Sequence, residues 1–186
     1  MGPPRIRIDH AAPKGGRRSP LSVWRATSGA TAVEFALIAA PLFGLLIAIL
    51  QTSLLFFAQE YLQTATTQAS RQIMTGQAQT QGITAAQFKQ TVCNNVSVLL
   101  SCNGVYVNVK TFTSFSSVTT PTPVQNGVFS SANLGYTLGS AGDVELVQVF
   151  YQWPVLLGPL GFNLSNMNGN YNLIVGTAVF RNEPYH

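Results

Sequence analysis

Gly29-Ala-Thr-Ala-Val-Glu34-Phe35 opens onto Ala36 to Ala58, a run broken only by Gln51, Thr52 and Ser53 among otherwise apolar or small residues. No Asp, Glu, Lys or Arg occurs from Phe35 to Gln59. As a helix, Ala36 to Ala58 would be roughly 34 Å long, enough to cross the hydrocarbon core of a bilayer. One carboxylate, Glu34, stands at the mouth of this segment. A carboxylate near a membrane centre costs a few kcal/mol, and the positive end of a helix dipole lowers that cost at the segment's start. Two readings of Glu34 follow. It lies at the headgroup level, satisfied by water and Arg25, or it belongs to a helix that must find a partner in the membrane plane.

The flanks orient the segment. Arg5, Arg7, Lys14, Arg17, Arg18 and Arg25 all precede it, with Asp9 as the one acid before Glu34. Beyond Phe35 the charges balance: Arg71, Lys89, Lys110 and Arg181 against Glu60, Asp143, Glu145 and Glu183. The net charge of +4 therefore belongs to the leader, which reads as a cytoplasmic flank under the positive-inside rule. Arg17-Arg18 has no aromatic platform beside it, so nucleic acid is not an expected partner. Twin-arginine export fits poorly because the apolar run begins far downstream. An ordinary secretory signal fits poorly because that run greatly exceeds 7–15 residues. Charged residues make up 9% of the chain, against about 25% in soluble domains. Such uncharged polar surfaces are common in exported and assembly-forming proteins.

The wording from Gly29 to Phe43, with Glu34-Phe35 followed by apolar residues and Pro41 seven places after the Glu, resembles the processing site of type IV prepilin-like proteins. It is most similar to the TadE-like pseudopilins of bacterial tight-adherence (Tad/Flp) pilus systems. The end of the chain, Thr177 to Tyr185, is similar to TadE-like C-termini. The resemblance implies a cut after Gly29 by a membrane prepilin peptidase. Ala30 would become the first mature residue and Glu34 the fifth. It implies an inner-membrane protein with a cytoplasmic N-terminus and a periplasmic domain, incorporated into or supporting a pilus. The implied partners are the peptidase, other pilin or pseudopilin subunits and the Tad assembly machinery. In this setting cleavage creates an ammonium group on Ala30, and a neighbouring subunit's Glu34 neutralises it in the low-dielectric bilayer. Glu34 and Phe35 are thus the assembly residues and Gly29 and Ala30 the processing residues. The rival reading is an uncleaved, single-pass, membrane-anchored adhesin or binding module.

Three segments are expected: residues 1–29 as a basic leader, 30–75 as a membrane-crossing and extended helix, and 76–186 as an exported α+β domain. Residues 1–28 are Pro-, Gly- and Arg-rich without periodicity and read as disordered. The first helix should continue past the bilayer, because Gln59 to Thr75 contains no Gly or Pro and Leu62, Ala65, Ala69 and Ile73 recur at helical spacing. Pro41 should kink it, Gly44 could admit a close neighbour, and Gly76 is a natural stop. Thr84-Ala-Ala-Gln87 fits a capping box, followed by Phe88, Val92, Val96 and Leu99 on one face. Val105 to Lys110 alternates as a strand, and Val144 to Trp153 and Asn172 to Arg181 read as two more. Residues 113–142 read as a long loop holding a short helix. Pro154 to Leu160 reads as another loop, with an apolar cluster at 155–157 and 160. The fold expected is α+β: one further helix on an antiparallel sheet of three or more strands, hung from the long N-terminal helix, which is also the pilin-like shape.

Catalytic chemistry has little to stand on. There is no phosphate-cradling Gly loop, no zinc-type Cys/His spacing and no Gly-x-Ser-x-Gly elbow, so no catalytic residue, metal or cofactor is expected. Cys93 and Cys102 are the two cysteines. In an oxidising compartment they are expected to pair, closing a short loop at a gain of roughly 2.7 kcal/mol by chain entropy. His10 and His186 lie at opposite ends of the chain. Asp143 and Glu145, two apart on an expected strand, share a face. Two acids could hold a cation or do acid/base work, but a hard-cation site wants more oxygen ligands than this pair offers, and the expected reading is a solvated strand start. Phe150, Tyr151 and Trp153 read as alternating core residues or as an aromatic partner surface. Asn95-Val-Ser97 and Asn163-Leu-Ser165 match a glycosylation pattern too frequent to weigh.

Overall fold

A computed structural model describes Gly2, residues 27–156 and residues 162–185. The reading of the basic leader as disordered lies outside the described residues, as do Leu157 and Leu160 of the apolar loop cluster. Two compact units divide at Pro41, residues 1–41 and 42–186.

Helix α1 runs from Thr27 to Met74 with Pro41 inside it. It stops where Gly76 takes a left-handed φ of 77° and donates its N–H to Ile73 O at 3.0 Å, a conformation glycine adopts without steric cost. In the second unit the helix buries Ala58, Leu62, Ala65, Ala69 and Ile73, the stripe its spacing announces. Alanines keep that stripe thin, and the strand opposite answers with Gly176. A Cβ on Gly176 would overlap Thr66 Oγ1 and lie 2.9 Å from Leu62 O, so helix and sheet meet backbone to backbone.

A short helix α2 (Gln77–Thr80) leads to α3 (Ala85–Val96). The capping box is present: Thr84 N donates to Gln87 Oε1 at 2.8 Å and Gln87 N to Thr84 Oγ1 at 3.4 Å. Helix α3 buries Phe88, Val92, Cys93 and Val96. The helix ends at Val96 and the chain turns, so Leu100 is buried where Leu99 was expected and Leu99 is half-buried.

Strands β1 (Val105–Phe112), β4 (Val144–Pro154) and β5 (Tyr171–Arg181) form an antiparallel sheet in the order β1-β4-β5. Val109 lies opposite Val147, and Val147 opposite Ala178. One face of the sheet meets the α1 and α3 core. The other is covered from the segment read as a loop, which does hold a short 3-10 turn (Phe115–Ser117) but also an unexpected hairpin. Strands β2 (Val124–Gln125) and β3 (Val128–Phe129) pair across Asn126-Gly127, both at positive φ, as a two-residue hairpin turn requires. The hairpin sets Phe129 against Tyr106 and Phe150, with ring centroids 4.8 Å and 6.1 Å apart. Central strand β4 is consequently buried on both faces from Val144 to Phe150. Phe150 is buried beneath the hairpin, while Tyr151 and Trp153, on the opposite face, pack against the α1 and α3 core.

Both sheet edges are covered. Along β1, Val109 N donates to Gly135 O at 2.8 Å and Thr137 N to Val109 O at 3.0 Å. Along β5 the cover comes from side chains of α1. Gln59 Nε2 donates to Val175 O at 2.8 Å while its Oε1 accepts from Val175 N at 3.2 Å. Gln63 does the same with Thr177, at 2.9 Å in each direction. Two amides thus stand in for a neighbouring strand on an edge that would otherwise invite pairing with another chain.

Candidate functional site

The upper part of α1 is a helix without a protein core. Val33, Phe35, Leu37 and Ile38 are 61–71% exposed, and Leu42, Leu50, Phe56 and Phe57 are exposed further along. Neighbouring positions such as Leu37 and Ile38 point in different directions around a helix, so the exposure is not confined to one stripe. The described helix from Gly29 to Met74 is long and apolar enough to cross a membrane. Two of its three polar interruptions are internally satisfied: Thr52 Oγ1 donates to Ala48 O at 2.9 Å and Ser53 Oγ to Ile49 O at 2.8 Å, while Gln51 Oε1 has no partner among the described residues. Such back-bonding makes hydroxyls tolerable in lipid. At the far end Phe57 and Tyr61 stack at 6.1 Å, just where the buried stripe begins at Ala58.

The first turns of α1 hold Gly29, Ala30, Glu34 and Phe35, all exposed. Gly29 has open space where a Cβ would stand, so nothing in the fold itself demands a glycine there. Arg25, the candidate headgroup-level partner of Glu34, lies outside the described residues. In the second unit Cys93 of α3 and Cys102 have Cα atoms 5.4 Å apart, a separation a disulfide spans.

Asp143 and Glu145 do not form a solvated strand start. Asp143 precedes β4 and accepts Ser140 N–H at 2.8 Å, while Glu145 is wholly buried. Its Oε1 accepts from Gly139 N, from Thr111 Oγ1 at 3.2 Å and from Asn182 Nδ2 at 3.4 Å. Burial pushes the Glu145 carboxyl above the usual range; the hydrogen bonds from Gly139, Thr111 and Asn182 oppose this and the Asp143 charge adds to it. The neighbouring Tyr136 hydroxyl is pushed up to about 12, by burial first and the Glu145 charge second. Thr111, Gly139 and Asn182 reach this cluster from three separate segments, and no spacing in the sequence relates them.

Residues 29–71 match the sequence model of the TadE-like protein family. The match starts at Gly29 and takes in the exposed apolar segment and much of the buried stripe; the likeness read in Thr177 to Tyr185 lies outside it. No curated protein and no solved structure matches the chain.

Proposed function

We propose that this chain, TadE-like over residues 29–71, is a pseudopilin: a membrane-anchored structural or assembly subunit of a tight-adherence pilus. The observation that carries the reading is that the family match begins at Gly29, the first residue of the exposed helical stretch fit to cross a membrane. A prepilin peptidase cuts after Gly29, and the mature chain keeps 157 of the 186 residues. That size suits a minor or initiating subunit better than the small bulk subunit of such filaments. The leader is cytoplasmic, Ala36 to Ala58 spans the inner membrane, and the domain after it is periplasmic. The protein works by binding other pilin-like subunits and the Tad assembly machinery, and not as an enzyme.

Assembly rests on charge pairing. Two lone charges in lipid, the new Ala30 amine and Glu34, are each costly. Joining one subunit's Glu34 to another's amine removes both penalties and fixes the stagger between helices. A buried pair of this kind sets register more than it adds stability.

The mass and N-terminal sequence of the membrane-extracted protein test the cut. The expected mature protein begins at Ala30, and Gly29→Arg should leave a single uncleaved species. Glu34→Gln should still be inserted and cut, yet fail to support piliation, because an uncompensated buried charge costs on the order of 3–5 kcal/mol. A wild-type protein that retains residues 1–29 would overturn the pseudopilin reading in favour of the uncleaved anchor. Normal pili in the Glu34→Gln strain would remove Glu34 from the assembly contact.

A further inference from the structure

Among the described residues Glu145 is buried without a counter-charge: the charge acting on it is that of Asp143, of the same sign. Its Oε2 has no hydrogen-bond partner among the described residues, and neither have two other buried oxygens, Asn182 Oδ1 and Gln79 Oε1. Shared partners gather these side chains at one place. Gln79 Nε2 and Asn182 Nδ2 both donate to Gly139 O, at 3.3 Å and 3.4 Å. Asn182 Nδ2 also reaches Ser140 O at 3.1 Å, and the Tyr185 hydroxyl donates to Gly139 O at 3.1 Å. The turn from Gly139 to Asp143 closes the wall: Asn182 N donates to Asp143 O at 2.8 Å, and a Cβ on Gly139 would stand 2.8 Å from Glu145 Oε1.

An unpaired carboxylate oxygen and two unpaired buried amide oxygens beside it require donors or positive charge. A proton on Oε2 supplies one donor and leaves the two amide oxygens unpaired. A hard cation takes six to eight oxygens, amide and backbone carbonyls included, with waters completing its shell. No group of three His, Cys, Asp or Glu side chains fit for a metal occurs among the described residues, so a site here is built on amide oxygens around Glu145, with Asp143 as the second charge. The geometry points to a calcium-class cation site whose direct protein ligands are Glu145 Oε2, Asn182 Oδ1 and Gln79 Oε1. With so few charges its affinity belongs with extracellular modules, at Kd about 10⁻⁴–10⁻³ M.

Terbium, a luminescent stand-in for calcium, tests the site on the full chain purified in detergent. Tyr136 and Tyr185 flank the cluster and can sensitise a terbium ion held there. Excitation of tyrosine should give saturable terbium emission that millimolar calcium displaces, and calcium should raise the Tm at pH 7.5. Glu145→Gln should abolish both effects. Gln79→Leu, a change on a short half-buried helix, should weaken calcium competition several-fold and serves if Glu145→Gln does not fold. Absence of saturable, calcium-displaced emission in the wild-type protein overturns the site, as does emission unchanged in either variant. The measurement involves neither cleavage nor pili, so its failure is separate from failure of the pseudopilin reading.

Discussion

A carboxyl group stripped of water on folding holds its proton more tightly, and Glu145 is placed that way. Its folded value lies above the unfolded one, near 4.3 for glutamate. The stability it contributes is therefore complete below the unfolded value and is lost as pH rises through the folded one. The other titratable groups facing it are Asp143, Tyr136 and Tyr185, and Tyr136, at about 12, does not titrate in this window. With chelator present, the denaturation midpoint should fall between pH 5 and pH 7.5, and Glu145→Gln should flatten the profile. A wild-type midpoint independent of pH over that range would show that Glu145 titrates alike in both states. The sequence places Glu145 two residues from another acid, which suggests a wet strand end. What it does not disclose is that β4 is covered on both faces, because the cover comes from residues far away in the chain.

Elements were legible where their cause is local. The Thr84–Gln87 cap, the Ala-rich stripe of α1 and the alternation in β1 all depend on near neighbours. The β2–β3 hairpin carried a local signal too, Asn126-Gly127 between Val124-Gln125 and Val128-Phe129, hidden by the Ser, Thr and Pro around it. The glutamine cover on β5 had no such signal, since Gln59 and Gln63 look like the solvated side of a helix until Val175 and Thr177 are set beside them. Replacing both by leucine leaves two N–H and two C=O groups of β5 unpaired, each costing about 1–3 kcal/mol where water cannot reach. The double variant should unfold at lower denaturant, and the Val175 and Thr177 amides should exchange faster than the rest of β5. Unaltered exchange at those two amides would mean that the edge is protected by something other than the glutamines.

For the whole molecule, the helix long and apolar enough to cross a membrane was the most legible feature, because a bilayer demands about 20 apolar residues in a row. The interior of residues 42–186 was less so, since it depends on pairings across more than a hundred residues, such as Gln59 with Val175. The proposed topology makes a joint prediction. A periplasm-dependent reporter fused after residue 186 should be active, and Cys93 and Cys102, bridged in the oxidising compartment, should resist alkylation until reduced. Labelling of Lys89 or Lys110 from the cytoplasm of intact cells would reverse the orientation, and thiols that react freely in the folded protein would remove the bridge.

The two glutamines also act as gear teeth. Four residues of helix advance about 6.0 Å and two residues of strand about 6.8 Å, so one repeat meshes within the tolerance of a hydrogen bond. A second repeat would be out of step by about 1.6 Å on the same figures, and Thr67, the next residue at that spacing, turns its hydroxyl to Gln63 O instead, at 3.0 Å. Two engaged teeth fix where α1 stands along β5. A tension applied along the helix axis loads the bonds of both teeth together, in shear, where a pull across the axis would open them one after the other.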